Sequence, residues 1–281
     1  MKIISNPKLL QKEIIKLKTE GKTIGFIPTM GALHKGHLSL VEKARKDCNI
    51  VVVSIFVNPF QFGPKEDLKK YPRDLKRDIS LCKEYADILF YPSAKAMYPD
   101  NFLTTVEVNK LGNILCGVSR PGHFKGVATV VNKLFNIVLP DVAYFGQKDA
   151  QQVTIIKKMV SDLNMPTKIK VLSIIREPDG LAMSSRNVYL SKQERMDALV
   201  LNRSLELAKD LIKKGAADLE KIVSEMRRLI LKVKSAKIDY ISIVDPNTLG
   251  RLKKIEKQAL ILIAVFIGKI RLIDNILVKI R

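Results

Sequence analysis

Hydrophobic positions along the chain follow two periods, and the switches between them mark its elements. A helical period over residues 6 to 20 gives way to the short apolar run Thr23-Ile24-Gly25-Phe26-Ile27, which predicts a buried strand. A second helical pattern opens at residue 36 and runs through Leu38-Ser39-Leu40-Val41-Glu42-Lys43-Ala44. The run at 50–57 is apolar and β-branched, as expected of a strand buried on both faces of a parallel sheet. Further helix–strand units are predicted at 79–85 with 88–90, at 126–138 with 142–145, and at 150–163 with 169–174. This alternation predicts a doubly wound, Rossmann-like α/β domain over residues 1–176, with ligands at the carboxyl ends of its strands where the winding reverses.

Past Arg176-Glu177-Pro178-Asp179-Gly180 the pattern changes. Long amphipathic helices at 192–214 and 219–233 precede strand patterns at 238–244, 259–267 and 271–276, which predict a smaller α+β domain over 177–281, expected to act as a lid. No internal repeat or low-complexity tract is visible.

Composition narrows the class. At 281 residues and 47% hydrophobic content the chain can bury two unequal cores. The longest apolar stretch, 259–268, is too short to cross a bilayer, and the N-terminus lacks a signal-peptide pattern, so a cytoplasmic protein with no membrane partner is expected. Cys48, Cys82 and Cys116 are odd in number and widely spaced, which suits reduced, buried thiols; a catalytic thiol is the alternative. A net charge of +21 is what nucleic-acid-binding chains often show. Here, however, cations run through nearly every segment with acids interspersed, as in Glu66-Asp67-Leu68-Lys69-Lys70, and no basic ribbon is present. Solvated lysine-rich faces explain most of the excess, no nucleic-acid partner is expected, and the positive potential suits anionic substrates.

The candidate chemistry concentrates at Pro28-Thr29-Met30-Gly31-Ala32-Leu33-His34-Lys35-Gly36-His37-Leu38. A strand, a glycine-bearing turn and a helix start follow in order here. Free N–H groups and the positive dipole end of a helix attract phosphate, glycines let backbone approach it, and two imidazoles supply donors. The arrangement suits a triphosphate. A zinc pair at helical spacing and two ordinary surface histidines are the alternatives; zinc needs three or four ligands, and only His123 and the scattered cysteines remain to supply them.

The spacing His-x-Gly-His resembles the signature of nucleotidyltransferases and class I aminoacyl-tRNA synthetases, which transfer AMP and release pyrophosphate. Four more blocks extend the likeness: Val57-Asn58-Pro59-Phe60-Gln61-Phe62-Gly63, Gly122-His123-Phe124-Lys125-Gly126-Val127-Ala128-Thr129-Val130-Val131, Tyr144-Phe145-Gly146-Gln147-Lys148-Asp149-Ala150-Gln151-Gln152 and the segment from Arg176 through Met183-Ser184-Ser185-Arg186-Asn187. With Arg271-Leu272-Ile273-Asp274-Asn275, they make the chain similar to the pantoate–β-alanine ligase family from about residue 3 to its end.

The resemblance implies two half-reactions. Pantoate attacks the α-phosphorus of ATP to give pantoyl adenylate and pyrophosphate, and the amine of β-alanine then displaces AMP to give pantothenate. It also implies a homodimer and a requirement for Mg²⁺. By motif match, ATP would be bound by Met30, Gly31, Ala32, Leu33, His34, Lys35, Gly36 and His37, by Gly146, Gln147, Lys148 and Asp149, and by Met183, Ser184, Ser185 and Arg186, with Ile175 touching the adenine through its backbone. Among these, His34, His37, Lys148 and Arg186 are the expected catalytic groups, positioning and neutralising the triphosphate. The family assigns His37 a proton-donor role, although a hydrogen bond to the pentacoordinate phosphorus needs the same geometry without proton transfer.

Pantoate would take hydrogen bonds from Gln61 and Gln152, with Asn58 beside them, and rest on an apolar wall of Met30, Phe56, Val127, Val130 and Val131. Turn residues after a strand are the alternative for Gln61 and Asn58, which their place at a strand's carboxyl end disfavours, and plain core is the alternative for the valines, with the two readings of Val130 evenly balanced. Asp78 matches a family acid placed near Mg²⁺, but Arg77 stands before it where some relatives carry a second acid.

Overall fold

In the computed structural model, which describes residues 1–64 and 66–280, the apolar runs of the first part form a six-stranded parallel sheet. Its strands are β1 (Lys2–Ile4), β2 (Ile24–Thr29), β3 (Ile50–Ile55), β4 (Ile88–Phe90), β5 (Val142–Gly146) and β6 (Lys168–Leu172), in the order β1-β4-β3-β2-β5-β6. The chain winds outward from β2 through β3 to β4 on one side, and through β5 to β6 on the other. The carboxyl end of β2 therefore lies at the reversal, where α/β sheets bind ligands.

Helices α1 (Pro7–Thr19), α2 (Lys35–Asp47), α3 (Leu75–Cys82), α4 (Ala94–Met97), α5 (Cys116–Ser119), α6 (His123–Val138) and α7 (Ala150–Asp162) accompany the sheet. Leu40, Val41 and Ala44 of α2 pack with Val51, Val53 and Ile55 of β3 and with Leu89 of β4, so this apolar face of β3 has a hydrophobic neighbour. The predicted strand over 50–57 stops at Ile55 because the Phe56 N–H gives the last ladder bond, to the Thr29 carbonyl at 3.0 Å, and Asn58 then caps a tight turn over Pro59–Gln61. Strand β6 likewise ends at Leu172 and not at 174. Strand β1 had no sequence signal, because three residues carry no period; its pairing with β4 makes it a strand.

The second part joins α8 (Lys192–Lys213) and α9 (Leu219–Ile230) to the antiparallel strands β7 (Ala236–Val244), β8 (Gln258–Ile267) and β9 (Ile270–Lys279). Ser191 and Glu194 form a capping box at the start of α8. Leu201, Leu205, Ile222 and Met226 of the two helices pack with Ile261, Ile263 and Val265 of the central strand β8. The doubly wound α/β domain and the smaller α+β domain are thus both present. The chain forms two compact units, one of Met1–Gly146 with Ile155–Ser173, the other of Gln147–Thr154 with all residues from Ile174 on. Among the described residues no helix is long and apolar enough to cross a membrane.

Helix α6 and the residues just before it help hold the turn after β3. Helix α6 meets it through Gly126, where a Cβ would stand 2.2 Å from the Phe60 carbonyl oxygen and 2.7 Å from the Gln61 nitrogen. From further along the chain, Glu66 receives Arg120 in a fork, Nε to Oε1 at 2.8 Å and Nη2 to Oε2 at 2.7 Å. Arg120 in turn lies 3.0 Å from His123 Nε2, and His123 Nδ1 lies 2.8 Å from the Gln61 carbonyl oxygen, to which it donates.

Gly126→Ala is expected to push this turn off α6 and lower stability by about 1–3 kcal/mol; an unchanged urea midpoint would show that the helix shifts without resistance. Burial alone would raise the Glu66 carboxyl, but Arg120, by hydrogen bond and charge, holds it below its ordinary value of 4.5. A lowered folded pKa means that the unfolded state binds more protons, so this stabilisation is complete above the ordinary value and is lost as pH falls through the folded one. Glu66→Gln should therefore lower the unfolding midpoint most at neutral pH, with the gap closing in acid. A gap independent of pH would remove the charge from the explanation.

Candidate active site

The turn after β2 departs from ordinary backbone at two consecutive residues. Gly31 has φ +85° and Ala32 φ +51°, the left-handed region that a side chain makes costly. Gly31 has no alternative, since a Cβ there would meet Ile55 Cγ2 at 2.9 Å and Asp78 Oδ2 at 3.0 Å. What holds the turn is α3. Asp78 Oδ2 accepts the Ala32 N–H at 2.9 Å and Oδ1 the Leu33 N–H at 2.7 Å, while Arg77 Nη1 donates to the Leu33 carbonyl at 3.2 Å.

Immediately beyond the turn, His34 and His37 form a reciprocal cap on the start of α2. The Gly36 N–H donates to His34 Nδ1 at 3.1 Å and the His34 N–H to His37 Nδ1 at 3.3 Å. Because both Nδ1 atoms accept, the ring proton of each neutral imidazole sits on Nε2. The rings face one another with centroids 4.0 Å apart. The helix N-terminus, the turn glycine and a pair of Nε2–H donors are thus assembled in one place, an arrangement that can hold a phosphate chain.

A cavity of about 640 Å³ opens beside this turn, lined by Met30, Gly31, Phe56, Val57, Asp78 and Pro92 among others. Gln61, 8% exposed, sends Nε2 toward Met30 Sδ at 2.9 Å. Asn58, 1% exposed, uses its whole amide within the protein: Nδ2 donates to Gln61 Oε1 at 3.2 Å and to the Gly126 carbonyl at 3.1 Å, and Oδ1 accepts from Tyr98 Oη at 2.8 Å and the Phe60 N–H at 3.3 Å. Its geometry is that of a residue acting through Gln61. Val127, Val130 and Val131 are buried on α6 and do not line the cavity.

The second unit carries the other expected groups. Lys148 stands in the short turn Gln147–Asp149 ahead of α7, with Nζ 4.0 Å from Asp149 Oδ1. Gln152 follows on the first turn of α7, half-buried. Ile175 accepts the Met183 N–H on its carbonyl at 3.0 Å, and Arg176 pairs with Ala182, so the chain doubles back just before Met183. Ser184 then caps a helical turn over Ser185–Tyr189 by accepting the Arg186 N–H at 3.3 Å. Ser184, Ser185 and Arg186 are all half-buried, as are Lys148 and Gln147, while Asp149 is exposed.

Asp78 does not fit the role of a direct Mg²⁺ ligand. It is 1% exposed and both oxygens are occupied by the turn's N–H groups. Burial pushes its carboxyl up from the ordinary value, with the Leu33 and Ala32 N–H groups pulling the other way. Among the described residues no three His, Cys, Asp or Glu side chains converge as a metal site, so the zinc alternative for the histidine pair has no support either. Cys48, Cys82 and Cys116 are buried thiols outside any disulfide. Sequence reasoning missed Arg77, Tyr98, Arg120 and Glu66 as holders of the site, because a contact such as Arg120 with Glu66, 54 residues apart, leaves no spacing signal.

A family model described as pantoate-beta-alanine ligase matches residues 2–277. The chain is 60% identical over 271 residues to a pantothenate synthetase of Caldicellulosiruptor saccharolyticus, covering 96% of each sequence, and 54% identical over 276 residues to one of Thermotoga petrophila, covering 98% of this chain and 99% of the other. Among solved structures, pantothenate synthetase from Thermus thermophilus has a TM-score of 0.94 at 43% identity, over 98% of this chain and 99% of that one. Pantoate-beta-alanine ligase from Francisella tularensis, complexed with beta-gamma ATP and beta-alanine, has a TM-score of 0.80 at 40% identity, over 99% and 97%. The chain belongs to the pantoate–β-alanine ligase family, enzymes that join pantoate to β-alanine.

Proposed function

We propose that the chain joins its two substrates through a pantoyl adenylate formed from ATP. The observation that carries this is the turn Met30–His37, where a left-handed backbone step, a helix N-terminus and two imidazoles stand together, an arrangement suited to phosphate. In the first step a pantoate carboxylate oxygen bonds to the α-phosphorus as the bond to the bridging oxygen of pyrophosphate breaks. His34 and His37 donate to the phosphate oxygens as charge shifts onto them, which a preformed donor pair does without reorganising. Lys148, Ser184, Ser185 and Arg186 hold the departing pyrophosphate, with Gly146, Gln147, Asp149, Met183 and the backbone of Ile175 as further nucleotide contacts. Mg²⁺ enters this reading only as the counter-ion that ATP carries.

In the second step the nitrogen of β-alanine attacks the carbonyl carbon of the adenylate, AMP leaves, and the nitrogen gives up a proton. Gln61 and Gln152 hold pantoate by neutral hydrogen bonds, Met30 and Phe56 supply apolar contact, and Asn58 keeps Gln61 in place. Val130 and Val131 support the pantoate side from α6. Buried thiols outside any disulfide support a reducing, cytoplasmic setting. A homodimer belongs to this reading through the family likeness alone, and sedimentation at two concentrations is the direct measurement.

Labelled pyrophosphate should exchange into ATP when pantoate is present and β-alanine is not. No exchange, under conditions where the full reaction runs, would contradict a reversible adenylate step. His37→Ala should raise the barrier to adenylation by about 2.7–4 kcal/mol, and synthetic pantoyl adenylate should restore much of the β-alanine step. Gln61→Ala should cost about 1–3 kcal/mol in pantoate use while sparing ATP binding to the free enzyme; an equal fall in ATP affinity would place Gln61 elsewhere.

A further inference from the structure

Within the second unit, β9 brings two consecutive polar residues into the interior. Asp274 is 3% exposed and Asn275 2%. Successive residues of a strand point to opposite faces. Asp274 is registered with Ile263, on the face that packs against α8 and α9, and Asn275 with Leu262 on the other. Buried polar side chains are expensive unless every group is used.

Asn275 meets that requirement on one short segment. Its Nδ2 donates to the Gln147 carbonyl at 2.9 Å and to the Lys148 carbonyl at 3.0 Å, and its Oδ1 accepts from Gln147 Nε2 at 3.3 Å. Both donors of the amide are therefore spent on adjacent carbonyls, at the turn that precedes α7 and carries Lys148. Fixing two successive carbonyls fixes the peptide planes between them, and with them the direction in which the Lys148 side chain leaves the backbone. This matters at a helix start, where the dipole disfavours a cation and leaves Lys148 no intrinsic reason to hold its position.

Asp274 anchors the device. Arg176 grips it with Nη1 to Oδ2 at 2.7 Å and Nη2 to Oδ1 at 3.0 Å, and the N–H of Asn275 itself donates to Asp274 Oδ1 at 2.8 Å. The same Arg176 Nη1 reaches the Gly180 carbonyl at 3.1 Å, tying in the segment that leads to Met183. Burial pushes the Asp274 carboxyl up from its ordinary value against the pull of Arg176 and, more weakly, of Lys148.

We propose that Asn275 is a positioning residue for adenylation: through the Gln147 and Lys148 carbonyls it sets the Lys148 ammonium, while Asp274 and Arg176 hold Asn275 in register. The inference rests on the phosphate-binding role given above to Lys148. A side chain set loosely by even an ångström loses much of the benefit of preorganisation.

The test uses the full-length protein, Asn275→Ala, Asn275→Asp, Lys148→Ala and the double variants. Asn275→Asp keeps the volume but puts oxygens against the two carbonyls, so it serves if the alanine variant does not fold. Pantoate-dependent pyrophosphate exchange should fall about tenfold to a hundredfold in each Asn275 variant. The reaction of synthetic pantoyl adenylate with β-alanine should change by less than about threefold, and Asn275→Ala should add no more than about a further twofold loss to Lys148→Ala. Losses that multiply in the double variant, equal damage to both half-reactions, normal exchange in Asn275→Asp, or failure of both Asn275 variants to fold would each overturn the proposal. Normal exchange in Lys148→Ala would instead refute the role of Lys148, and the inference would fall with it.

Discussion

A carboxylate taken out of water loses several kcal/mol of hydration unless N–H groups replace the lost solvent. Asp78 makes that replacement with the N–H groups of Ala32 and Leu33, and the shape of the ligand-facing turn follows. Two residues in the left-handed region would relax if released. They persist because the alternative is a buried carboxylate with no partner. The same constraint explains why Gly31 must lack a side chain, since the space a Cβ would take is filled by Asp78 and Ile55. Everything downstream, from the start of α2 to the orientation of its two imidazoles, inherits the direction in which this turn delivers the chain.

A division of labour recurs across the fold. Most residues expected to touch substrate are half-buried, whereas those that hold them are almost fully buried and bind backbone. Asn58 on the Phe60 N–H and the Gly126 carbonyl, His123 on the Gln61 carbonyl, Asp78 under the turn and Asn275 under Lys148 all fit the second description. Backbone is the better target for such support, because a carbonyl or N–H does not change rotamer. His123, Asp78 and Asn275 come from distant parts of the chain, so that these candidate site segments are fixed by contacts that no local motif contains.

Periodicity revealed most of the fold because the elements that matter are long or fully buried. Val51 to Val53 lie in a run with no polar interruption, and α8 repeats its apolar positions over many turns. What stayed hidden was short or defined by pairing: β1, the turns around α4 and α5, and the grouping of Gln147–Thr154 with residues far along the chain. The candidate site divides the same way. His34, His37, Gln61 and Lys148 stand in local motifs and were legible as candidates. Asn58 and Asp78 were legible as positions but not as contacts, since only the fold shows that their side chains are consumed internally, and the carboxylate matched to a family acid near Mg²⁺ holds backbone.

The histidine pair shows how one local solution can serve two ends. An N-terminal capping box ordinarily uses Ser or Thr with Glu three residues on, as Ser191 and Glu194 do at α8. At α2 that choice would close the cap equally well, but it would place a carboxylate at the mouth of the turn proposed to bind phosphate. Imidazole avoids the conflict. Its Nδ1 accepts the N–H that the cap must satisfy, and the proton thereby confined to Nε2 points a donor away from the helix. Capping and anion recognition are then not competing demands on the two side chains, because each ring meets one with each nitrogen. In the role proposed for this turn, an acid here would also oppose the helix dipole's attraction for phosphate, and an imidazole does not.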